Sequence, residues 1–323
     1  MSLPIVYYIG YTINSHRKHR DWKTPVYIVI IGVAFYGVLN LITNYGRLLG
    51  GVRSTIDFLT GREVLMTTQI ALFILIAGCT YFIFFTMKFK RSPVLKSLLI
   101  FLLICAVLFN TLGATRTVIY SIVLNLVCCA LVSLLVYQKT AKKALQYVFL
   151  AVFLLVAIWI VLSLNIFNVR TILESTPLYL RIQSLNENQA DDMGLRGKQI
   201  SEAFSQLFAH PWGGWSMEFS EDWAFVHNMW LNVAYTGGLI PCLLLLIYCL
   251  SVLKDSLALL RIGAKQEDSI FILGMYVSIL VYWMIEPVFE AVPFIVTLFC
   301  FINGVVQRQI ENIKTEKMSI QNC

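Results

Sequence analysis

Long apolar runs separated by short polar connections constrain this chain more than any other feature in it. The runs are approximately Pro25–Thr43, Val64–Phe85, Val94–Leu112, Thr117–Tyr137, Ala144–Leu164, Val226–Leu253, Ser269–Ile285 and Val288–Val306. A helix needs roughly 20 such residues to cross ~30 Å of hydrocarbon. The runs are continuous rather than alternating, which points to helices and away from the strands of a membrane barrel. Leu3–Ile13 is a further apolar run, short for a span at 11 residues. The expected fold is therefore all-α: a polytopic membrane protein of about 8–9 transmembrane helices, forming a single integral membrane domain over residues 1–323. Composition agrees, since only 13% of residues are charged and mean hydropathy is +0.74, whereas soluble domains carry roughly 25% charge.

The positive-inside rule orients the chain. One set of connections carries Arg17, Lys18, Arg20 and Lys23, then Lys88, Lys90, Arg91 and Lys96, then Lys139, Lys142 and Lys143. The same set continues with Lys254, Arg261 and Lys265 and the tail cations Arg308, Lys314 and Lys317, so it is expected to be cytoplasmic. The opposite set carries Arg47, Arg53, Arg62, Arg116, Arg170, Arg181, Arg196 and Lys198 and is expected to face outward. Lysine dominates inside and arginine outside. Topology alone would be met by lysine, whereas the planar guanidinium binds phosphate or carboxylate in bidentate fashion. The alternative is that these arginines pair with Asp57, Glu174, Asp191 or Asp192, or with lipid headgroups. The net charge of +7 is explained by this asymmetry, and no nucleic-acid partner is expected. Nothing at the N-terminus reads as a cleavable signal peptide, because Leu3–Ile13 runs into a basic cluster rather than a small-residue cleavage site.

Residues 165–225 form one large extracytoplasmic loop, far longer than an ordinary connection. Leu178, Ile182 and Leu185 stand at helical spacing, and a second helix is expected from Leu195 to Ala209. Its apolar positions are Ile200, Ala203, Phe204, Leu207 and Phe208, with Lys198, Glu202 and Gln206 on other faces. A helix patterned this way can lie on a membrane surface. Arg196 is expected in its first turn, where the unpaired N–H groups would help hold an anion; a salt bridge to Asp191 or Asp192 is the alternative.

Two histidines fall outside. His210 opens His-Pro-Trp-Gly-Gly-Trp, and His227 stands with Asn228 where the chain re-enters the membrane. An imidazole there can take a proton near neutral pH, and Glu218, Glu221 and Asp222 are close enough in sequence to orient it. A structural role is the competing reading. Trp212, Trp215, Trp223 and Trp230 crowd the same stretch; tryptophan favours membrane interfaces, and its face also suits a sugar ring. No metal-ligand spacing is present, and no cofactor is expected. The cysteines lie in apolar runs or at the last residue, so no disulfide framework is expected. Glu286 and Glu290 flank Pro287 in a tight outer turn, suited to acceptor hydroxyls or to pairing with an outer arginine. Gly237, Gly238 and Pro241 should kink the span after His227.

Three local patterns together resemble the O-antigen ligase and O-antigen polymerase superfamily of bacterial envelope glycosyltransferases. They are Ala114-Thr115-Arg116-Thr117 opening a span, Gly194-Leu195-Arg196 running on to Pro211-Trp212-Gly213-Gly214, and His227-Asn228 followed by Gly237-Gly238. The resemblance covers roughly Arg47 to the C-terminus. It implies a metal-independent inverting transfer of a glycan from undecaprenyl diphosphate to an acceptor glycan hydroxyl, in the bacterial inner membrane. His227 would be the base. Arg116 and Arg196 would clamp the diphosphate, with Arg181, Arg53 and Arg47 as further candidates, and Trp212, Trp215, Glu218, Asp222 and Asn228 would bind or orient glycan. The implied partners are the lipid-linked donor, the glycan acceptor, membrane lipids, and a polysaccharide chain-length regulator or flippase. Family members carry more spans than the runs seen here, which implies missing N-terminal spans or a short variant. A polymerase is the leading expectation, a ligase the second, a lipid-linked oligosaccharide flippase or transporter the competing class, and a purely structural membrane subunit the last.

Overall fold

The computed structural model describes residues 3–13, 22–52, 54–87, 92–136, 174, 176–177, 179–180, 192–213, 226–261, 266–286 and 288–321. Almost all of them are helical. Among the described residues, five helices are long and apolar enough to cross a membrane: Thr24–Leu49, Met66–Thr86, Pro93–Leu112, Leu239–Leu259 and Pro293–Ser319. Leu3–Ile13 and Thr117–Ser133 are shorter apolar helices. The chain is thus a membrane-embedded, α-helical protein. The expected span Ala144–Leu164 and the expected helix through Leu178, Ile182 and Leu185 lie outside the described residues. The chain divides into two units. One comprises Met1–Ile30, Gln189–Lys265 and Ile279–Cys323, the other Ile31–Asn188 and Gln266–Ser278.

In the second unit, α2 (Thr24–Leu49) leads into a short antiparallel hairpin of β1 (Ser54–Ile56) and β2 (Glu63–Leu65), paired Ser54 to Leu65 and Ile56 to Glu63. The all-helical reading did not include this hairpin. Two buried asparagines on the last turns of α2 hold it. Asn44 accepts the Ile56 N–H and donates to the Ile56 carbonyl, both at 2.7 Å, while Asn40 accepts the Phe58 N–H at 2.7 Å. The turn closes on Asp57, which accepts from the Thr60 N–H and hydroxyl at 2.8 Å, and on Gly61 at φ +64°.

The hairpin feeds α3 (Met66–Gly78), buried on nearly every side and continued by a wider π-turn over Phe82–Thr86. Pro93 in the first turn sets the start of α4 (Pro93–Leu112), a position where its missing N–H costs nothing. Between α4 and α5 (Thr117–Val136), buried Asn110 folds the tight turn onto itself. Its side-chain carbonyl accepts from the Thr115 hydroxyl at 2.6 Å, its amide donates to the Thr115 carbonyl, and Ala114 takes a left-handed φ of +50°. Across the unit, Asn125 on α5 donates to the Gly78 carbonyl at 2.7 Å and accepts the Tyr81 N–H at 3.0 Å. A methyl at Gly274 would stand 2.2 Å from the Gly78 oxygen, so α3 and α9 (Gln266–Trp283) touch backbone to backbone. Small residues and buried amides are the usual means of helix association where lipid removes the hydrophobic drive.

In the first unit, α1 (Leu3–Ile13) lies along α11 (Pro293–Gln321). Gly10 and Gly304 permit the approach: side chains there would meet the Phe301 and Tyr7 carbonyls at 2.2 and 2.1 Å. At ~1.5 Å per residue, the 11-residue α1 is too short to cross hydrocarbon by itself. It ends in a polar knot in which the Tyr11 hydroxyl donates to Glu311 and accepts from Arg308 at 3.2 Å. Two boundaries differ from the sequence reading. The run Val288–Val306 is divided at Val292 into α10 (Val288–Ala291) and α11, which starts at Pro293 and continues to Gln321. The run Val226–Leu253 is broken where Gly237 and Gly238 were expected to kink it, Gly238 having a φ of +88° between α7 (Met229–Gly237) and α8 (Leu239–Arg261).

Candidate functional site

The first unit gathers polar side chains where α7 begins. Asn228 caps that helix, its side-chain oxygen accepting the Leu231 N–H at 3.1 Å. Asparagine is among the best residues at this position because it satisfies a donor the helix cannot. The Asn228 amide also donates to the Met284 carbonyl at 3.3 Å, tying the start of α7 to the turn after α9. Asn232 accepts the Val226 N–H at 3.1 Å, which folds the approach to the helix back upon it. His227 is held between these two anchors.

The main-chain N–H of His227 donates to the side chain of Gln199 at 3.3 Å. Gln199 is buried on α6 (Asp192–Ala209), on the same edge as Ala203 and Leu207. The imidazole Nδ1 lies 3.5 Å from a carboxylate oxygen of Glu286. The Glu286 residue is 4% exposed and the His227 side chain 27%. A carboxylate so deeply buried is costly unless a cation or donors face it, and the His227 imidazole faces this one. Sequence reasoning had matched Glu286 to acceptor hydroxyls or an outer arginine; the structure instead turns it onto the histidine. Trp230, Trp283 and Phe299 pack beneath, with centroids 5.9 Å apart for the first pair and 4.7 Å for the second. Trp230 also donates to the Met284 sulfur at 3.1 Å.

A second junction lies next to the first. The turn Pro211-Trp212-Gly213 after α6 docks onto the break between α7 and α8, where the Leu239 N–H donates to the Pro211 carbonyl at 2.7 Å. A side chain at Gly213 would stand 2.1 Å from the Gly238 nitrogen, and one at Gly238 would stand 2.5 Å from the Trp212 backbone. Both glycines have positive φ, so each is needed for conformation and for closeness.

The other expected site residues are distributed as follows. Trp212 is 79% exposed on the turn. Arg196 lies in α6, but the helix begins at Asp192, so Arg196 stands past the first turn rather than within it. Arg47 and Arg116 belong to the second unit. Arg47 pairs with Glu63 at 3.0 Å and bonds Ser54 at 3.3 Å, bracing the hairpin, while Arg116 is half-buried just before α5. Arg53, Arg181, Trp215, Glu218 and Asp222 lie outside the described residues. Sequence reasoning missed Gln199. Its signal was a glutamine in register with Ala203 and Leu207, on an edge that buries itself.

The three segments together place an imidazole against a buried carboxylate at the start of a membrane-entering helix pair. A carboxylate at Nδ1 favours the tautomer that carries its proton there and offers Nε2 as acceptor. A proton-accepting histidine needs such an arrangement, and so does a histidine that simply caps a buried carboxylate. No protein-family model matches the chain, and no curated protein matches it.

Proposed function

We propose that the protein is a membrane glycosyltransferase that polymerises undecaprenyl-diphosphate-linked oligosaccharide repeat units into a surface polysaccharide, O-antigen or capsule, on the outer face of the bacterial plasma membrane. The observation that carries this reading is the His227–Glu286 pair, partly open at the imidazole and closed at the carboxylate. In this reading the lysine-rich connections and the C-terminus are cytoplasmic, and residues 165–225 are extracytoplasmic. The acceptor hydroxyl gives its proton to Nε2 of His227. Its oxygen bonds to the anomeric carbon of the donor sugar, and the bond from that carbon to the diphosphate oxygen breaks. The leaving undecaprenyl diphosphate takes the electron pair and gains charge, which is where arginines contribute. Arg196 and Arg116 are assigned that work. Arg47 is the weaker assignment, because Glu63 already engages it. Glu286 holds the ring and offsets the imidazolium charge that develops.

The test is the surface polysaccharide of cells carrying His227→Ala, Arg116→Ala or Arg196→Ala at wild-type protein level. Loss of long polymer is expected in each. Polymer of normal length and amount in all three would defeat the proposal. Collapse to single repeat units would favour polymerase over ligase, whereas full-length polymer left untransferred would favour ligase.

A further inference from the structure

Helix α6 is buried along one narrow edge only. Gln199, Ala203 and Leu207 are buried, and the helix packs by this edge against α7. Ile200, Phe204 and Phe208 form a neighbouring stripe that is nonetheless exposed, Phe204 at 57% and Phe208 at 69%, their rings in edge contact at 5.9 Å. Trp212 continues it on the turn beyond. At about 100° per residue, the stripe Lys198, Glu202 and Gln206 lies roughly 160° around the helix from the phenylalanines. Packing therefore accounts for neither the apolar stripe nor its segregation from the charged one. A cluster of exposed aromatics on one side of a helix marks an interaction surface.

We infer that α6 is an interfacial helix whose Ile200–Phe204–Phe208–Trp212 edge is seated in the lipid leaflet through which α8 enters the membrane. Continuity with the span identifies lipid as the occupant. The turn at the end of α6 is hydrogen-bonded to Leu239, the first residue of α8, and interlocked with Gly238, so the helix ends where the span begins. That span displays Ile240, Leu243, Leu244 and Ile247 on its own exposed surface, as a lipid-facing helix does. A tryptophan at the junction suits the headgroup level, and an amphipathic helix lying in that plane puts its apolar face into the acyl boundary with its charges toward water. The seat has a consequence for the neighbouring site: the packed edge of the same helix supplies Gln199 to the His227 main chain. The bilayer thereby helps hold the histidine in place. This inference does not depend on the reaction proposed above.

The test uses the full chain in liposomes of phosphatidylethanolamine and phosphatidylglycerol, with the photoreactive aromatic p-benzoylphenylalanine placed singly at Phe204, Phe208, Glu202 or Gln206. After irradiation, lipid adducts are measured by mass spectrometry. Adducts at Phe204 and Phe208 are expected at about tenfold the yield at Glu202 and Gln206. Equal yields at all four positions would overturn the inference. So would crosslinks from Phe204 and Phe208 that run mainly to a second copy of the chain, since the stripe would then be a protein interface.

Discussion

The polar cluster around the hairpin and the one at the head of α7 are built on different principles. Around the hairpin, the polar groups are closed onto backbone. Asn44 meets both the N–H and the carbonyl of Ile56, Asn40 meets Phe58, and Asp57 meets Thr60. At the head of α7, Asn228 and Asn232 close onto backbone in the same way, yet between them sits an imidazole that faces a buried carboxylate at 3.5 Å, longer than an ordinary hydrogen bond. Short bonds from side chains to backbone define a structure. The longer His227–Glu286 contact is compatible with proton transfer, because catalytic contacts often tighten only when substrate arrives.

That contrast predicts different consequences for removing a side chain. The largest effect is expected at His227. His227→Ala should cut turnover per folded molecule by about 10²–10⁴-fold, the usual contribution of a positioned base. Glu286→Gln should follow. It keeps size and hydrogen-bonding capacity but removes the charge, so kcat should fall about tenfold with KM for the lipid-linked donor unchanged. If KM rose while kcat held, Glu286 would belong to substrate binding rather than to positioning the ring.

The hairpin should behave the other way. Asn44→Ala leaves the Ile56 N–H and carbonyl without their buried partner and should cost about 1–3 kcal/mol in thermal unfolding, with turnover per folded molecule preserved. A loss of turnover at full stability would erase the distinction between the two clusters. The smallest effect concerns pH. Partial burial of Asp57 disfavours its charge, but hydrogen bonds from the Tyr36 hydroxyl and from Thr60 outweigh this and hold its carboxyl below the usual range. Glu63 is likewise lowered, by Ser54 and by the Arg47 guanidinium. A carboxyl lowered on folding stabilises the fold above its unfolded value, and that stabilisation is lost as pH falls through the folded value. Amide hydrogen exchange over residues 54–65 should therefore quicken below about pH 4, relative to the base-rate change of free peptides. Unchanged protection there would contradict the assigned bonding.

The membrane class was legible in the sequence because hydrocarbon imposes a length on every crossing helix, and apolar runs state that length directly. Loop helix α6 was legible through its period, though its start at Asp192 was not, since Asp192 and Gly194 interrupt the apolar pattern there. The hairpin was illegible for a different reason. Its strands are three residues each, too short for alternation to register, and they depend on asparagines from the preceding helix. At the site, His227 could be singled out by its place at the re-entry point. Glu286 was visible as an acidic residue near a proline, but its partner was not, because the two meet across sequence through the Asn228–Met284 bond. Local signals reach one turn of helix or one loop, and long-range pairing is decided by packing that no local pattern records.

The central claim is that the His227–Glu286 corner carries chemistry rather than structure. Its most direct test is turnover of an undecaprenyl-diphosphate-linked oligosaccharide by the purified full chain in lipid nanodiscs, wild type against His227→Ala, with unfolding temperature measured on the same preparations. The account predicts polymer from the wild type and essentially none from the variant at equal amounts of folded protein. Polymer formed by the variant at the wild-type rate would contradict it.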